Sequence, residues 1–342
     1  MRRVTLLHMT FVARQIVLAA RPEGAPRPGD FRIEHAPLAE PQEGEVLVRN
    51  LWLSVDPYMR ISMSANASLH GTIPLGAPIP GGAVGEVAVS HAEELPQGSI
   101  VMSREHGWRD AYVARAEGLV PLDPTHGPVE RFLGLYGLTG ITAWGGMRGV
   151  LRPQPGETVF VNAAAGAVGS VAVQLARIAG ARVIASAGSA EKGAWLAETL
   201  GADHFVNYRE ENLAERLAGI APEGLDAAFD NVGGGQLEIL LDAMAPRGRI
   251  ALCGAIGRYD AAEYRAGPAN LFAAIEKHVS LTGFNAGFYF ERAPEIIAEF
   301  AQAERAGRLL VEETIVHGLD AMAQAFIDMM AGRSRGKTLV RL

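Results

Sequence analysis

The chain has 342 residues, a net charge of −7 at pH 7 and a single cysteine, Cys253. This length exceeds what one ordinary core requires, so we expect two domains. The mild, dispersed charge argues against a nucleic-acid partner, and one cysteine excludes an intramolecular disulfide and any multi-cysteine metal site, which fits a cytoplasmic protein. Because the first 20 residues lack a proper signal-peptide core and no uncharged run approaches the roughly 20 residues of a membrane span, we expect neither a signal peptide nor membrane association.

Short β-prone runs separated by Gly and Pro turns occupy the chain from about residue 30 to about residue 120. The runs are EVLVRNLWLSV, AVGEVAVS, GSIVMS and DAYVARAE. Several short strands with turn residues between them predict a β-rich, barrel-like domain.

After about residue 130, strand-like runs alternate with helical patterns. The six runs are TVFVNA, RVIASA, HFVNY, LDAAFDNV, RIALCGA and VSLTGF. This alternation predicts an α/β domain with a doubly wound parallel sheet. From about residue 290 the tail returns to helix and strand.

The stretch VFVNAAAGAVGSVAVQLARIAG, residues 159–180, passes from a strand through a turn of small residues into a helix. One apolar stripe of this helix faces the sheet and consists of Val168, Val171, Ala172, Leu175 and Ala179. The unpaired N–H groups and the dipole at a helix N-terminus favour an anion such as a pyrophosphate. Small residues at Ala164, Gly166 and Gly169 allow close approach, provided that Ala164 has a negative φ. The turn therefore predicts nucleotide binding, and the alternative is a tight strand-to-helix turn without a ligand.

The segment ASAGSAEKG, residues 185–193, decides which nucleotide fits. An NAD enzyme places an acid at the end of the second strand to bind the ribose 2′-OH, and this segment has none there. It offers the hydroxyls of Ser186 and Ser189 and the cation of Lys192, with Arg182 as a further basic residue at a strand edge. A 2′-phosphate would be attracted, so we expect NADP(H), although Lys192 alone could equally be a solvated surface lysine.

The residues needed for a zinc alcohol dehydrogenase are absent from the sequence. Such an enzyme uses Cys and His ligands, and in PGGAVGEV, residues 80–87, Gly82 and Ala83 stand where its His-Glu pair would be. The nine histidines are scattered along the chain. We therefore expect hydride transfer without a metal.

Seven motifs occur in order along the chain, and together they carry a family resemblance. They are LSVDPYMR (53–60), IPGGAVGEV (79–87), GLTGITAW (137–144), VNAAAGAVGSVAVQLA (161–176), GSAEK (188–192), FDNVGG (229–234) and CGAIGRY (253–259). The chain resembles the zinc-independent medium-chain dehydrogenase/reductase superfamily. Within it, the sequence is similar to the NADP-dependent group of prostaglandin/leukotriene reductases, plant double-bond reductases and curcumin reductase.

The resemblance implies a GroES-like catalytic domain in residues 1–130, a Rossmann NADP-binding domain in residues 131–290, and a return to the catalytic domain in residues 291–342. It also implies cofactor contacts. The residues expected along the pyrophosphate are Gly166, Ala167, Val168 and Gly169, and those on the adenosine 2′-phosphate side are Ser189, Lys192 and Tyr208. The residues expected along the ribose and nicotinamide are Asn231, Cys253, Ala255, Ile256, Tyr259 and Phe284.

Among the stretches that depart from the family pattern, two bear on the cofactor and the substrate. The family usually has Gly-Asp-Asn-x-Gly-Lys near its C-terminus, whereas this chain reads GRSRGK, which places Ser334 at the Asn position. The cofactor contact that the family makes with Asn is therefore assigned here to Ser334, whose side chain is different and shorter. The loop at residues 257–272 differs from the proline-rich loop of the animal members, so substrate specificity does not carry over.

The reaction implied is NADPH-dependent reduction of the C=C bond of an α,β-unsaturated ketone or aldehyde. Tyr259, at the end of the fifth strand of the cofactor domain, is the first candidate donor to the developing enolate, and Tyr58 is the second. Packing without a chemical role is the alternative for each tyrosine. Water is the expected source of the α-carbon proton.

Two alternative functions stay open: a quinone reductase on the same scaffold, and an NADPH-binding protein without significant turnover. The resemblance also implies a homodimer joined through the last strand of the cofactor domain, near HVSLTGF, where the edge of an open sheet is available for pairing.

Overall fold

The computed structural model describes residues 11–65, 71–260 and 267–342. The first ten residues and residues 261–266 of the divergent loop, both considered above, lie outside the described residues. The chain divides into two compact units. Unit 1 comprises Met1–Glu130, Ile315–Ile327 and Leu339–Leu342, and unit 2 comprises Arg131–Thr314 and Asp328–Thr338.

Fifteen strands and nine α-helices lie in the described part of the chain. The strands are β1 (Phe11–Leu18), β2 (Phe31–Leu38), β3 (Glu45–Ser54), β4 (Ala83–Ser90), β5 (Ile100–Ser103), β6 (Ala111–Arg115), β7 (Val120–Pro121), β8 (Thr158–Val161), β9 (Arg182–Ala187), β10 (His204–Asn207), β11 (Leu225–Asp230), β12 (Met244–Leu252), β13 (Ser280–Gly283), β14 (Glu313–His317) and β15 (Lys337–Arg341). The helices are α1 (Met59–Ser62), α2 (Leu138–Trp144), α3 (Ala167–Ile178), α4 (Ala190–Glu198), α5 (Leu213–Ile220), α6 (Gly235–Ala243), α7 (Phe272–Glu276), α8 (Ala293–Arg305) and α9 (Met322–Met330).

A seven-stranded sheet, most of which belongs to unit 1, is built around β3. Its order is β14-β15-β3-β4-β5-β7, and β6 also pairs with β3, while β1 and β2 form a separate antiparallel pair. Side chains on both faces of β3 are buried, as at Val46, Leu47 and Val48. The four β-prone runs of the sequence correspond to β3, β4, β5 and β6, which confirms the β-rich N-terminal domain.

Unit 2 contains a six-stranded parallel sheet in the order β10-β9-β8-β11-β12-β13. Five of the six strands fall within the runs identified in the sequence, and β12 begins at Met244, before its run RIALCGA, which starts at Arg249. The doubly wound α/β fold is confirmed. The strand order reverses between β8 and β11. Ligands of such sheets bind at the carboxyl ends of the strands next to this switch point.

Helix α3 is buried more completely than one apolar stripe implies. Val171, Ala172 and Leu175 are buried as expected, and Val173 and Gln174 are buried as well. The prediction of a single stripe was too narrow because α2 packs against α3 and the Gln174 amide exchanges hydrogen bonds with the backbone of Leu310.

The C-terminal part of the chain is divided between the units. The division places residues 291–314 and 328–338 in unit 2, whereas the sequence analysis assigned all of 291–342 to the first domain. Helix α8 accounts for the first stretch, because its Glu299 accepts from the Trp144 indole at 2.8 Å and its Glu304 accepts from the Tyr136 hydroxyl at 2.7 Å. The second stretch contacts unit 2 through the Gly336 N–H, which donates to the Ala165 carbonyl.

Candidate active site

The turn between β8 and α3 packs so closely that it requires glycine at one position. A Cβ at Gly169 would overlap the carbonyl oxygen of Ala163 and would lie 2.7 Å from Cα of Ala164. At Gly166 a Cβ would lie 3.3 Å from the same oxygen, a milder crowding. The left-handed residue of the turn is Ala163, with φ of 44°, and Ala164 is not among the positive-φ residues, as the sequence analysis required.

The first turn of α3 presents backbone donors beside this close packing. Gly166 is the N-cap, and Ala167, Val168 and Gly169 are the first helical residues, whose N–H groups have no acceptor within the helix. The structure thus brings together the four residues predicted to line a pyrophosphate. The C-terminal segment also reaches this turn, since Gly336 N–H donates to the Ala165 carbonyl at 2.8 Å.

The end of β9 and the start of α4 form the predicted 2′-phosphate side. Ser189 is the N-cap of α4 and accepts from the Lys192 N–H at 3.3 Å, and Lys192 Nζ donates to the Gly332 carbonyl at 2.7 Å. Ser186 is buried within β9, and its Oγ has no hydrogen-bond partner among the described residues. Of the two serines, Ser189 is the one that lies at the helix end.

Two arginines that the sequence analysis did not select join Lys192. Burial, followed by the positive charge of Arg209, lowers the pKa of Lys192, and Arg335 adds to this effect while Glu191 opposes it. Arg209 follows Tyr208, an exposed predicted contact, and its guanidinium lies 6.0 Å from the tyrosine ring centroid. We call Lys192, Arg209 and Arg335 the cationic cluster. Sequence reasoning could have found Arg209, because it directly follows the predicted contact Tyr208. Arg335 is remote in sequence and no local pattern pointed to it.

A hydrogen-bonded network of polar side chains holds the carboxyl ends of β8 and β11. Asn162 Nδ2 donates to Asp230 Oδ1 at 2.6 Å, and Asn162 Oδ1 accepts from the Asn231 N–H at 2.6 Å. Asp230 Oδ1 also accepts from the N–H groups of Val232 and Gly233, whereas its buried Oδ2 has no partner among the described residues. This network fixes the predicted ribose contact Asn231 beside the switch point.

Cys253 directly follows β12, next to this network. Its N–H donates to the Asp230 carbonyl at 2.9 Å. Burial, with a contribution from the Asp230 carboxylate, raises the pKa of the Cys253 thiol to about 12. The thiol is therefore protonated at neutral pH, in agreement with its expected role as a small apolar group.

Tyr259 does not lie at the end of the fifth strand of the cofactor domain, where the sequence analysis placed it. Strand β12 ends at Leu252, and Tyr259 follows a short 3-10 turn that begins at Ile256, after Ala255. Its hydroxyl nevertheless folds back, since it lies 3.3 Å from the position that a Cβ on Gly254 would take. Burial raises the pKa of Tyr259, against an opposing backbone hydrogen bond at Ala255, so the phenol is a proton-bearing donor.

Phe284 follows β13 and packs against the other side of the strand ends. Its ring meets Phe229 edge to face, with 5.9 Å between centroids. Gly146 lies in the π-helical turn that continues α2, and a Cβ there would overlap Phe229 and lie 2.8 Å from Phe284. Ser334 is half-buried two residues before Gly336. These residues, with Asn231, Cys253 and Tyr259, all belong to unit 2.

Tyr58 belongs to unit 1, immediately before α1. Burial and the nearby carboxylate of Asp56 raise the pKa of Tyr58, and the Ser54 hydroxyl donates to Asp56. Gly81 is closely packed against the same helix, since a Cβ at this position would lie 2.5 Å from Cε of Met59. In the ranges 11–65, 71–260 and 267–342, no three His, Cys, Asp or Glu residues are grouped to hold a metal ion, and no helix is long and apolar enough to cross a membrane.

Comparisons with known proteins place the chain in a family. Residues 14–122 match the N-terminal domain of oxidoreductase, and residues 167–302 match the zinc-binding dehydrogenase domain. The chain is 35% identical to the NADPH-dependent curcumin reductase of Escherichia coli over 96% of both chains, and 34% identical to the NADP(+)-dependent 2-alkenal reductase of Nicotiana tabacum, again over 96% of both.

Among solved structures, CurA from Vibrio vulnificus in complex with NADPH superposes with a TM-score of 0.89 at 35% identity, covering 96% of this chain and 98% of that one. The domain named for zinc binding matches residues 167–302. Gly82 and Ala83, which stand where a zinc alcohol dehydrogenase would have its His-Glu pair, lie in the segment that matches the N-terminal domain of oxidoreductase. This similarity agrees with the two-unit fold and with the turn that requires glycine. The chain belongs to the zinc-independent group of the medium-chain dehydrogenase/reductase superfamily.

Proposed function

We propose that the protein is an NADPH-dependent reductase of the C=C bond of α,β-unsaturated ketones and aldehydes, with unit 1 as its catalytic domain and unit 2 as its cofactor domain. The observation that carries the cofactor assignment is the cationic cluster beside the N-terminus of α4, at the end of a β9 strand without an acid. The substrate class is supported by the curcumin and 2-alkenal reductases to which the chain is similar along nearly its whole length.

The residues present fit the dinucleotide. The close packing at Gly169 leaves the first-turn N–H groups of α3 as donors for a pyrophosphate, and a helix N-terminus favours that negative charge. Lys192 and Arg209 supply positive charge for a 2′-phosphate, with the hydroxyls of Ser189 and Tyr208 beside them. Asp230 Oδ2, which has no hydrogen-bond partner among the described residues, is an available acceptor at the switch point.

The nicotinamide half is assigned to the ends of β11, β12 and β13. The residues proposed to contact it are Asn231, Cys253, Ala255, Ile256, Tyr259 and Phe284, with Ser334 from the C-terminal segment. When bound, NADPH supplies a hydride. The Phe284–Phe229 edge-to-face pair forms an apolar wall that excludes water from this end.

The chain's part in the reaction is to stabilise the negative charge that develops on the substrate carbonyl oxygen as its β-carbon is reduced. Tyr259 is the proposed donor to that oxygen because burial raises the pKa of its phenol, which therefore keeps its proton. A preorganised donor of this kind is worth about 3–4 kcal/mol in the transition state. Tyr58 is the second candidate, as a donor or an aromatic wall, and water is the proposed source of the α-carbon proton.

The test is a comparison of acceptors with the purified protein. NADPH oxidation is followed with an enone, its saturated ketone, a quinone and no acceptor, with NADH in parallel. Oxidation with the enone that yields the saturated carbonyl and favours NADPH supports the proposal. Turnover of the quinone instead makes the protein a quinone reductase, and tight NADPH binding without turnover makes it a binding protein.

We also propose a homodimer in the cytoplasm. Strand β13 ends the sheet of unit 2, and exposed apolar side chains occur near it on α7, at Phe272 and Ile275, and at Phe288. An unpaired edge between apolar side chains is suited to pairing with a second copy. Sedimentation that gives only a monomer at micromolar concentration would remove this proposal.

A further inference from the structure

Arg335 lies in a C-terminal segment whose backbone is fixed within unit 2. Its N–H donates to Thr314 Oγ1 at 3.1 Å, and its carbonyl accepts from the same hydroxyl at 2.7 Å. The next residue, Gly336, donates to the Ala165 carbonyl of the β8–α3 turn. The segment is thereby held against the dinucleotide-binding turn, and the Arg335 side chain starts from a fixed position.

Among the described residues, the hydrogen bonds of the Arg335 guanidinium go to a single carboxylate, that of Glu312. Nε and Nη2 donate to Glu312 Oε1 at 2.7 and 2.6 Å, and the guanidinium carbon lies 5.1 Å from the Trp195 ring centroid. Nη1 is 3.8 Å from the exposed carboxylate of Glu191, beyond hydrogen-bond range. Nη1 therefore makes no hydrogen bond within the described part of the chain and can donate to an anionic acceptor of better geometry.

The positive charges around Arg335 are incompletely balanced. The hydrogen bonds of Lys192 Nζ and Arg209 Nη2 go to neutral carbonyls, those of Gly332 and Ala331, at 2.7 and 3.3 Å. Like charges brought together in this way repel one another, and an anion with two negative charges relieves that repulsion. The three cations come from α4, from the residues after β10 and from the C-terminal segment, so only the folded chain assembles them.

We propose that Arg335 is a third cation for the cofactor 2′-phosphate and that Glu312 competes with the phosphate for it, so that this ion pair sets the preference for NADPH over NADH. The inference rests on the proposed function and refines it. The family pattern has Gly-Asp-Asn-x-Gly-Lys in this segment, with no defined residue type at the position of Arg335. The contribution of Arg335 is thus a property of this chain's own sequence.

The experiment is calorimetric titration of the full-length protein with NADPH and with NADH. Arg335→Gln removes the charge and keeps a polar, although shorter, side chain. Arg333→Gln is the matched control, because Arg333 lies in the same segment but donates to Asp328 at 2.5 and 3.0 Å. We expect Arg335→Gln to weaken NADPH binding about tenfold and NADH binding less than about twofold, as for one lost charge-assisted hydrogen bond partly offset by Glu312. We expect Arg333→Gln to change both by less than about twofold.

A second variant tests the competition. Glu312→Gln should tighten NADPH binding by about threefold, and in the Arg335→Gln background it should have no effect. An unchanged NADPH-to-NADH affinity ratio in Arg335→Gln, with Lys192→Ala lowering that ratio, overturns this inference and leaves the proposed cofactor intact. Equal affinity of the unaltered protein for NADPH and NADH overturns both.

Discussion

The imidazole of His106 in unit 1 gives a quantitative stability prediction. Its Nδ1 lies 2.8 Å from the Ser103 hydroxyl, and its ring stacks on Tyr112 with 4.1 Å between centroids. Ser103 Oγ already accepts from the N–H groups of Glu105 and His106. The Ser103 proton is therefore directed to His106 Nδ1, which requires a neutral imidazole with its proton on Nε2.

Protonation of His106 opposes folding. Burial, and then the positive charge of Arg109, lowers the pKa of His106 from 6.5 to about 4. Because the unfolded chain takes up the proton first, the free energy of unfolding has its full His106 contribution above pH 6.5 and loses it as the pH falls from 6.5 towards about 4. A depression of this size corresponds to about 3 kcal/mol for an enclosed group, and solvent screening of the partly exposed ring reduces it to about 2 kcal/mol.

The assay is urea unfolding of the parent protein and of His106→Asn at several pH values across that window. The Asn side chain keeps an acceptor near the Nδ1 position but does not titrate. We expect the variant to lose about 2 kcal/mol less unfolding free energy than the parent between neutral pH and pH 4. Arg109→Gln should narrow the pH range over which stability is lost, because it removes the positive charge that is the second cause of the lowered pKa of His106. Parallel pH profiles for the parent and His106→Asn would refute the reasoning.

Three further predictions concern the site in unit 2. Gly169→Ala should weaken NADPH binding at least about tenfold and cost about 1–3 kcal/mol of stability, because its Cβ overlaps the Ala163 carbonyl; calorimetry and thermal unfolding measure the two effects. Lys192→Ala should raise the KM for NADPH about tenfold with little change for NADH, which steady-state kinetics with both cofactors measures. Tyr259→Phe should lower kcat for an enone about 100-fold to 1,000-fold while leaving the Kd for NADPH unchanged, as stopped-flow and titration together determine.

Matched control variants separate these effects from a general loss of folding or stability. Gly166→Ala places a Cβ 3.3 Å from the same Ala163 oxygen and should be milder than Gly169→Ala. Lys277→Ala removes a lysine that donates to the Asp242 carbonyl and should leave cofactor kinetics unchanged. Full enone turnover by Tyr259→Phe would show that its phenol only packs against the cofactor.

The architecture was predictable from short-range patterns. The central parallel strands are buried on both faces, so they read as continuous apolar runs such as residues 159–161 of β8, and the alternation of strands with helices indicates a doubly wound sheet. The strand-to-helix turn at Ala163–Gly169 was predictable for the same reason, because its small residues are adjacent in sequence. The assigned contacts of Tyr58, Asn231, Phe284 and Ser334 stay predictions, since they depend on a bound cofactor.

The sequence by itself determined the fold class, the family and the position of the nucleotide turn, because those properties depend on residues close together in the chain. Tertiary structure decided which charges share a site. Lys192, Arg209 and Arg335 lie on separate elements, and only the folding of the C-terminal segment against the β8–α3 turn brings the third to the first two. The pairing of Arg335 with Glu312 rather than with the nearer-in-sequence Asp328 follows from the same long-range packing, which no local pattern encodes.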